Sequence, residues 1–210
     1  MSNYQLFQND LPLQSLKSFK GDISIDTETL GLNIKRDRLC LIQLRNESNK
    51  KVYLIKFDKD ISQANSKNIK SLLEDKSLTK IFHYARFDMA VLKENLNINV
   101  RNVFCTKIAS KLTRTYSSKH GLKDLVKEIL NVELDKTEQT SDWSQKKLTK
   151  QQIQYAMNDV IYLSDLKKNL EAKLLEAKRL KTFKSIMNFL DTRVELDLMG
   201  WENTDIFAHK

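Results

Sequence analysis

Asp26 and Glu28 stand one residue apart at the end of a short apolar run, Ile23-Ser24-Ile25. Along an extended chain, side chains two apart share a face, so both carboxylates aim at one spot. Two like charges there repel unless a cation lies between them, and hard divalent ions such as Mg²⁺ prefer carboxylate oxygens. The plainer alternative is a strand that runs out into solvent with two surface acids. Two further acids occupy distinctive settings. Asp88 follows an apolar strand and opens a helix, where an anion is favoured by the helix end alone. Asp159 comes four residues after Tyr155, which puts the two side chains on one helix face, as at the edge of any amphipathic helix.

These residues need elements to position them. With one proline and four glycines in 210 residues, breaks in the chain are few and mark junctions. Gly21 precedes the first strand, Gly31 ends the acidic turn, Gly121 opens a helix and Gly200 follows a long one. Strands are expected from Ile23 into the acidic pair Asp26 and Glu28, and at Leu39–Leu44, Val52–Ile55, Lys80–His83 and Val103–Cys105, with a hairpin turn across Asn46–Lys51. Helices are expected around Ile69–Leu73, over Phe87–Leu96 and over Leu122–Leu130, the last with Leu122, Leu125, Val126 and Ile129 on one face. Thr149 and Gln152 fit a capping box, and the helix they open is expected to run unbroken to about Arg179. Another runs from Lys181 to Met199 and stops at Gly200. Strands and helices alternate, so the class is α/β, with five strands and a helical C-terminal tail.

Composition narrows the function classes. The chain is 40% hydrophobic and 30% charged, ordinary for a globular protein with a sizeable core. Its formal net charge of +9 points to an anionic partner, nucleic acid being the usual one. Helical lysines such as Lys167, Lys168, Lys173 and Lys178 could equally solvate a face. Cys40 and Cys105 lie in apolar contexts without C-x-x-C spacing and read as reduced core residues. No basic segment followed by an apolar one opens the chain, and no apolar run approaches the roughly 20 residues that span a bilayer. A cytoplasmic protein without membrane contact is expected.

In order and spacing, Asp26-Thr27-Glu28, Phe87-Asp88 and Tyr155-x-x-x-Asp159 resemble the three exonuclease motifs of the DEDD superfamily. The tyrosine makes the chain similar to the DEDDy branch, to which RNase D belongs. Gln139-Thr140-Ser141-Asp142-Trp143, Leu148, Gln152, Tyr155-Ala156, Asp159-Val160 and Tyr162-Leu163 resemble the RNase D pattern around the third motif. A closer resemblance is to the nanoRNase C family of alphaproteobacteria, the compact relatives of RNase D. It is carried by Asp26 to Leu44, by His83 to Asp88, by Phe104 to Ser110, by Arg114-Thr115-Tyr116 through His120-Gly121-Leu122, and by the tail Gly200-Trp201 and Asp205 to His209.

The resemblance implies an RNase H-like fold, a single exonuclease domain over 1–210 without the HRDC domains of RNase D, and a homo-octamer. It also implies a two-metal reaction with Mg²⁺ or Mn²⁺, and the chemistry agrees, since four carboxylates in one cleft cannot all ionise without cations. Two ions about 4 Å apart would clamp the scissile phosphate. Asp26 would bridge them, with Glu28 and Asp159 on the water-activating side and Asp88 acting mainly through coordinated water. Tyr155 would orient the attacking water, because a phenol with a pKa of about 10 is a poor base at neutral pH. The expected substrates are short single-stranded RNAs, dinucleotides above all, cut from the 3′ end to nucleoside 5′-monophosphates.

Leu32 matches the position where related short-RNA exonucleases wedge a leucine between two bases; a core leucine after a turn is the alternative. Arg114, Tyr116 and His120 form a basic-aromatic loop that could hold a 5′ phosphate or stack a base, or could be an exposed connector. His83 reads as structural. Three other functions stay open: a DNA 3′–5′ exonuclease with the same acids, a general RNase D-like exonuclease on longer substrates, and a binding module with an inactive site. The metal site cannot separate RNA from DNA, since contacts to the 2′-hydroxyl lie elsewhere.

Overall fold

The computed structural model describes residues 4–61, 65–134, 138 and 140–209. Its elements in chain order are β1 (Tyr4–Gln8), α1 (Leu13–Leu16), β2 (Asp22–Thr29), β3 (Leu39–Asn46), β4 (Val52–Lys56), α2 (Lys67–Glu74), β5 (Thr79–Phe82), α3 (Ala85–Leu96), β6 (Val103–Cys105), α4 (Thr106–Thr113), α5 (Leu122–Leu130), α6 (Lys150–Ile161), α7 (Leu163–Glu176) and α8 (Leu180–Leu196). One mixed sheet in the order β1-β4-β3-β2-β5-β6 carries them. The centre β2-β3-β4 is antiparallel, while β5 and β6 add to β2 in parallel and β1 adds to β4 in parallel.

The five strands expected from sequence are present, and the sixth, β1, corrects the count. Its residues, Tyr-Gln-Leu-Phe-Gln, form an edge strand with exposed positions, and its partner β4 lies far along the chain, so no local turn announces the pairing. A second correction concerns the long helix after Thr149. It breaks at Tyr162, where α6 ends and α7 begins. The Arg45 guanidinium, reaching across from β3, donates to the Ile161 carbonyl and satisfies that helix end from outside the helix. The helix over Thr106–Thr113 was not expected from the apolar spacing. Helix α8 ends at Leu196, and the left-handed Gly200 expected after it, with φ 98, kinks the π-helical turn Asp197–Trp201 that follows.

Alternation along the central strands decides what each face meets. Ile23 and Ile25 of β2, with Ile42 and Leu44 of β3, pack into a core shared with α2, α3 and α8. Cys40, Leu41, Val52 and Leu54 point the other way and pack on Trp143, Ala156 and Val160 beside α6. Strand β3 is buried along nearly its whole length, as expected of a strand covered on both faces. By the same parity, Asp26 and Glu28 belong to the α6 face, and Thr27 belongs to the α3 face. Among the described residues no helix is long and apolar enough to cross a membrane.

Candidate active site

The cleft opens where β2 outlasts its neighbour. Parallel pairing of β2 with β5 ends at Ser24 and Ile81. Beyond that point β2 carries Asp26, Thr27 and Glu28 along a free edge, while the chain leaving β5 turns into α3. A register shift between Glu28 and Thr29 against β3 bends the strand end, a common device for re-aiming side chains beside a site. Asp88 enters from the first turn of α3. Its Oδ1 accepts the Thr27 hydroxyl at 2.7 Å, and the backbone amides of Thr27 and Asp88 also donate to it. The unpaired edge of β2 thus supplies the donors that hold Asp88.

Asp159 comes from the opposite face, on α6. The capping box closes as predicted, with Thr149 Oγ1 accepting from Gln152 N at 3.1 Å and Gln152 Oε1 accepting from Thr149 N at 2.9 Å. The amide of Gln152 also donates to Ser141 Oγ and the Asp142 carbonyl, tying the helix start to the preceding segment. Tyr155 packs against the buried Trp143, ring centroids 6.0 Å apart, and its hydroxyl donates to Asp159 one turn on. Gln139, quoted above for the third motif, lies outside the described residues.

Asp26, Glu28 and Asp159 each bring a carboxylate oxygen within 4.8 Å of the others. Asp88 stands behind this trio, close enough to act on it electrostatically. Burial, then the charges of Asp88, Asp159 and Glu28, hold Asp26 well above the ordinary carboxylate range. Glu28 is raised in the same way, chiefly by burial and Asp159, while the Gln43 amide donating to it at 3.2 Å pulls in the other direction. Asp88 is pushed up to about 7 by burial, against the lowering effect of its hydrogen bond from Thr27. Burial and Asp159 push the Tyr155 phenol above its ordinary value, so it serves as a neutral hydroxyl.

A divalent cation fits this donor set. The oxygens are hard ligands, they converge, and their protonation in the metal-free state is the response expected of carboxylates crowded without a counter-ion. The other amide atom of Gln43, Oε1, is buried with no hydrogen-bond partner among the described residues. It adds acceptor character to the wall beside Glu28.

Thr27 and Gln43 position the acids, and sequence reasoning overlooked both. Gln43 did leave a signal, as a polar residue inside the apolar run of β3. Thr27 left none, because its partner lies 61 residues away. Also overlooked was Tyr84, which takes a left-handed φ of 77 at the start of α3 with Lys107 Nζ 4.2 Å from its ring centre. His83 is structural as read, its Nδ1 paired with Thr106 Oγ1 at 2.9 Å.

Leu32 is not a core residue. It is 85% exposed at the tip of a turn beyond Glu28. The turn is held by Leu30 N donating to Arg38 O and by Asn33 N donating to Asp37 Oδ2. Gly31 is required there, because a Cβ on it would lie 2.4 Å from Asp37 Oδ2. Arg114 is a correction. Its side chain is fully buried, pairs with Glu128 and donates to Ser110 Oγ and the Lys119 carbonyl. A guanidinium so engaged braces its loop and has no fork left for a phosphate. Tyr116 is 72% exposed with its hydroxyl on Glu128, and His120 Nδ1 pairs with Ser110 Oγ at 2.8 Å. Among the described residues no hydrogen bond links this loop to the four acids.

A family model described as a 3′-5′ exonuclease matches residues 7–175. The chain belongs to the 3′-5′ exonuclease family. This exonuclease is 30% identical over 176 residues to ribonuclease D of Desulfotalea psychrophila, a match covering 83% of the chain and 46% of that protein. The chain spans about half the length of that curated relative. Among solved structures, Brucella melitensis NrnC bound to pGG superposes with a TM-score of 0.92 at 45% identity, covering 99% of this chain and 98% of that one. The same protein with bound Mg²⁺ gives 0.91 at 44% identity, with 99% of each chain covered. The exonuclease thus shares the mixed sheet flanked by helices seen in NrnC and RNase D, the RNase H-like fold expected from its motifs.

Proposed function

We propose that this exonuclease hydrolyses short single-stranded oligoribonucleotides from the 3′ end, dinucleotides best, and releases nucleoside 5′-monophosphates. The observation that carries the proposal is the convergence of Asp26, Glu28 and Asp159 beside an exposed leucine on a pinned turn. The NrnC structure with pGG supports the substrate class, and the NrnC structure with Mg²⁺ supports a divalent cofactor. We assign two ions, Mg²⁺ or Mn²⁺, to Asp26, Glu28 and Asp159 with Asp88 behind them. Such ions would supply positive charge for the scissile phosphate and a more acidic attacking water.

The chain's own groups do the rest. Thr27 fixes the Asp88 carboxylate, and Gln43 fixes Glu28. Tyr155, neutral and anchored on Asp159, presents its hydroxyl to the attacking water and orients it. Leu32 inserts its apolar side chain between the two terminal bases, which sets the register of the bond to be cut. Tyr116 and His120 lie on the loop we assign to the substrate's 5′ side. The described residues act as one exonuclease domain, working in the cytoplasm, where the two buried free thiols of Cys40 and Cys105 stay reduced. The working unit is a homo-oligomer, an octamer as in the family it resembles.

The test is digestion of 5′-labelled RNAs of graded length with Mg²⁺ or Mn²⁺. Dinucleotides should show the highest kcat/KM, and matched deoxyribo-dinucleotides should react more slowly. Leu32→Ala should raise KM for dinucleotides with no change in Tm, losing about 1.5–3 kcal/mol of apolar contact. Equal efficiency on a long single strand would replace the dinucleotide reading with that of a general exonuclease.

A further inference from the structure

Helix α3 delivers Asp88 to the cleft, yet its start is poorly secured from within. The cap position, Tyr84, has φ 77 and ψ 45, a left-handed conformation that is costly for a large side chain. Among the described residues no side chain caps the helix. A conformation of this kind persists only where its surroundings over-determine it. The first turn of α3 must therefore be held by contacts from other elements.

Two anchors do this, from opposite sides. Asp88 takes the Thr27 hydroxyl of β2 at 2.7 Å. Arg86 stands two residues earlier, about 200° around the helix, and reaches the end of α8 instead. Its Nη2 donates to Asp197 Oδ1 at 2.7 Å and its Nε donates to Asp197 Oδ2. This two-pronged pairing fixes the guanidinium in direction as well as in distance. The Asp197 side chain is only 4% exposed and opens the π-helical turn after α8, an irregularity common at functional positions. Arg193 completes the arrangement. Its Nη2 donates to Asp197 Oδ1 and to the Trp201 carbonyl, each at 2.7 Å, while Arg86 reaches the Glu202 carbonyl at 2.8 Å. Farther on, Phe207 packs on Phe189 of α8, ring centroids 6.2 Å apart. The C-terminal segment thus lies on its own helix and encloses the Arg86 head group.

A buried ion pair is a weak source of stability, because desolvation offsets the attraction. What a two-pronged pair does supply is orientation. We propose that Arg86 is a positioning residue of the active site. Locked by Asp197, it sets the rotation of the first turn of α3 and so aims the Asp88 carboxylate into the acid cluster. Thr27 holds that carboxylate from the cleft side, and Arg86 holds the helix beneath it from the other. This rests on the assignment of Asp88 to the metal site made above.

The test is Mn²⁺ binding to the full chain, followed by calorimetry without substrate, beside kcat and KM on a dinucleotide. Arg86→Lys keeps the charge and loses the fork, and Asp197→Asn keeps the shape and loses the charge. Arg193→Lys is the comparison, because Arg193 shares Asp197 and the tail carbonyls but makes no hydrogen bond to α3 among the described residues. All three should lower Tm. Arg86→Lys and Asp197→Asn should also weaken Mn²⁺ binding and lower kcat by about 10-fold, the lower end of the loss when support for a metal ligand is removed. Arg193→Lys should leave both at the wild-type level. Equal losses in all three would mean that the pair only holds the fold, and would overturn the proposal. Wild-type Mn²⁺ affinity in Arg86→Lys would overturn it whatever the Tm, and a raised KM beside that affinity would place Arg86 on the substrate. Should Asp197→Asn fail to fold, Arg86→Lys against Arg193→Lys decides. Asp88→Asn in the same titration reports on the reading beneath: wild-type affinity there would remove Asp88 from the metal site, whereas weakened binding there but not in Arg86→Lys overturns only the role of Arg86.

Discussion

The acid cleft and the loop after α4 are both rich in charge, and the fold treats them in opposite ways. In the loop, Arg114 meets Glu128, Tyr116 adds its hydroxyl to the same carboxylate, and His120 shares Ser110 with Arg114. Each group is answered by a neighbour within the chain. In the cleft, Asp26, Glu28, Asp88 and Asp159 crowd together, and Glu28, Asp88 and Asp159 each raise the proton affinity of Asp26. Folding completes the loop's electrostatics but leaves the cleft's waiting for a cation. Charge matched inside the chain serves stability, and charge left unmatched serves chemistry. That contrast separates two basic or acidic clusters that composition alone treats alike.

The largest expected effect breaks the cleft side of the contrast. Asp26→Asn, Glu28→Gln, Asp88→Asn and Asp159→Asn should each lower kcat by more than about 100-fold, beyond the roughly 10–100-fold cost of losing an outer-shell partner. In EDTA the same variants should keep or raise Tm, because each removes a like charge from the cluster. Loss of activity together with a large fall in Tm would mean that the acids hold the fold rather than a metal. Thr27→Val and Gln43→Leu should fall inside the 10–100-fold range, since they act only through Asp88 and Glu28.

Tyr155→Phe comes next. It removes one hydroxyl bonded to a carboxylate, an interaction of about 1.5–3 kcal/mol, which converts to roughly 10- to 150-fold in kcat. KM should hold steady. The phenol is neutral throughout the working range, so the alkaline limb of the pH–rate profile should be the same in variant and wild type. A limb that disappears in the variant would make Tyr155 a proton-transfer group.

Arg114→Met sharpens the loop side. It leaves Ser110 Oγ and the Lys119 carbonyl without their buried donor and should destabilise the protein by about 1–3 kcal/mol, with unchanged kcat and KM on a 5′-phosphorylated dinucleotide. A raised KM with unchanged Tm would return Arg114 to the substrate and erase the contrast.

How much of this was legible in the sequence follows from the range of each interaction. Asp26 and Glu28 could be placed on one face because strand alternation is local, and Tyr155 with Asp159 because helix periodicity is local. The box of Thr149 and Gln152 lies within a single turn and could be read outright. Strand β1 was missed because its pairing with β4 spans most of the first fifty residues, and the break at Tyr162 because Arg45 comes from β3 to satisfy the helix end. Arg114 was misread for the same reason. Its partner Glu128 is 14 residues on, across a turn into α5, and only the folded chain brings the two together. Leu32 was open between core and surface until the close approach of Gly31 to Asp37 fixed the turn.

The smallest expected effect is a pH dependence of stability in the metal-free protein. Asp88 has an ordinary value of 3.8 and is held at about 7 in the folded chain. Between those values the folded state binds a proton that the unfolded state has released. Stability contributed by this site is therefore full below about pH 4 and is lost as pH rises toward about 7. In EDTA, the Tm of wild type should gain on that of Asp88→Asn as pH falls from about 8 to about 5, by about 2–4 °C for each kcal/mol of relieved desolvation and repulsion. The variant carries no carboxylate at this position to protonate, so its curve keeps only what the other acids contribute. Saturating Mg²⁺ at neutral pH should recover for the wild type what acid recovers without it, since cation and proton answer the same surplus of negative charge. Parallel curves in EDTA would show that Asp88 is neither desolvated nor crowded in solution, and the cleft would then be no more frustrated than the loop.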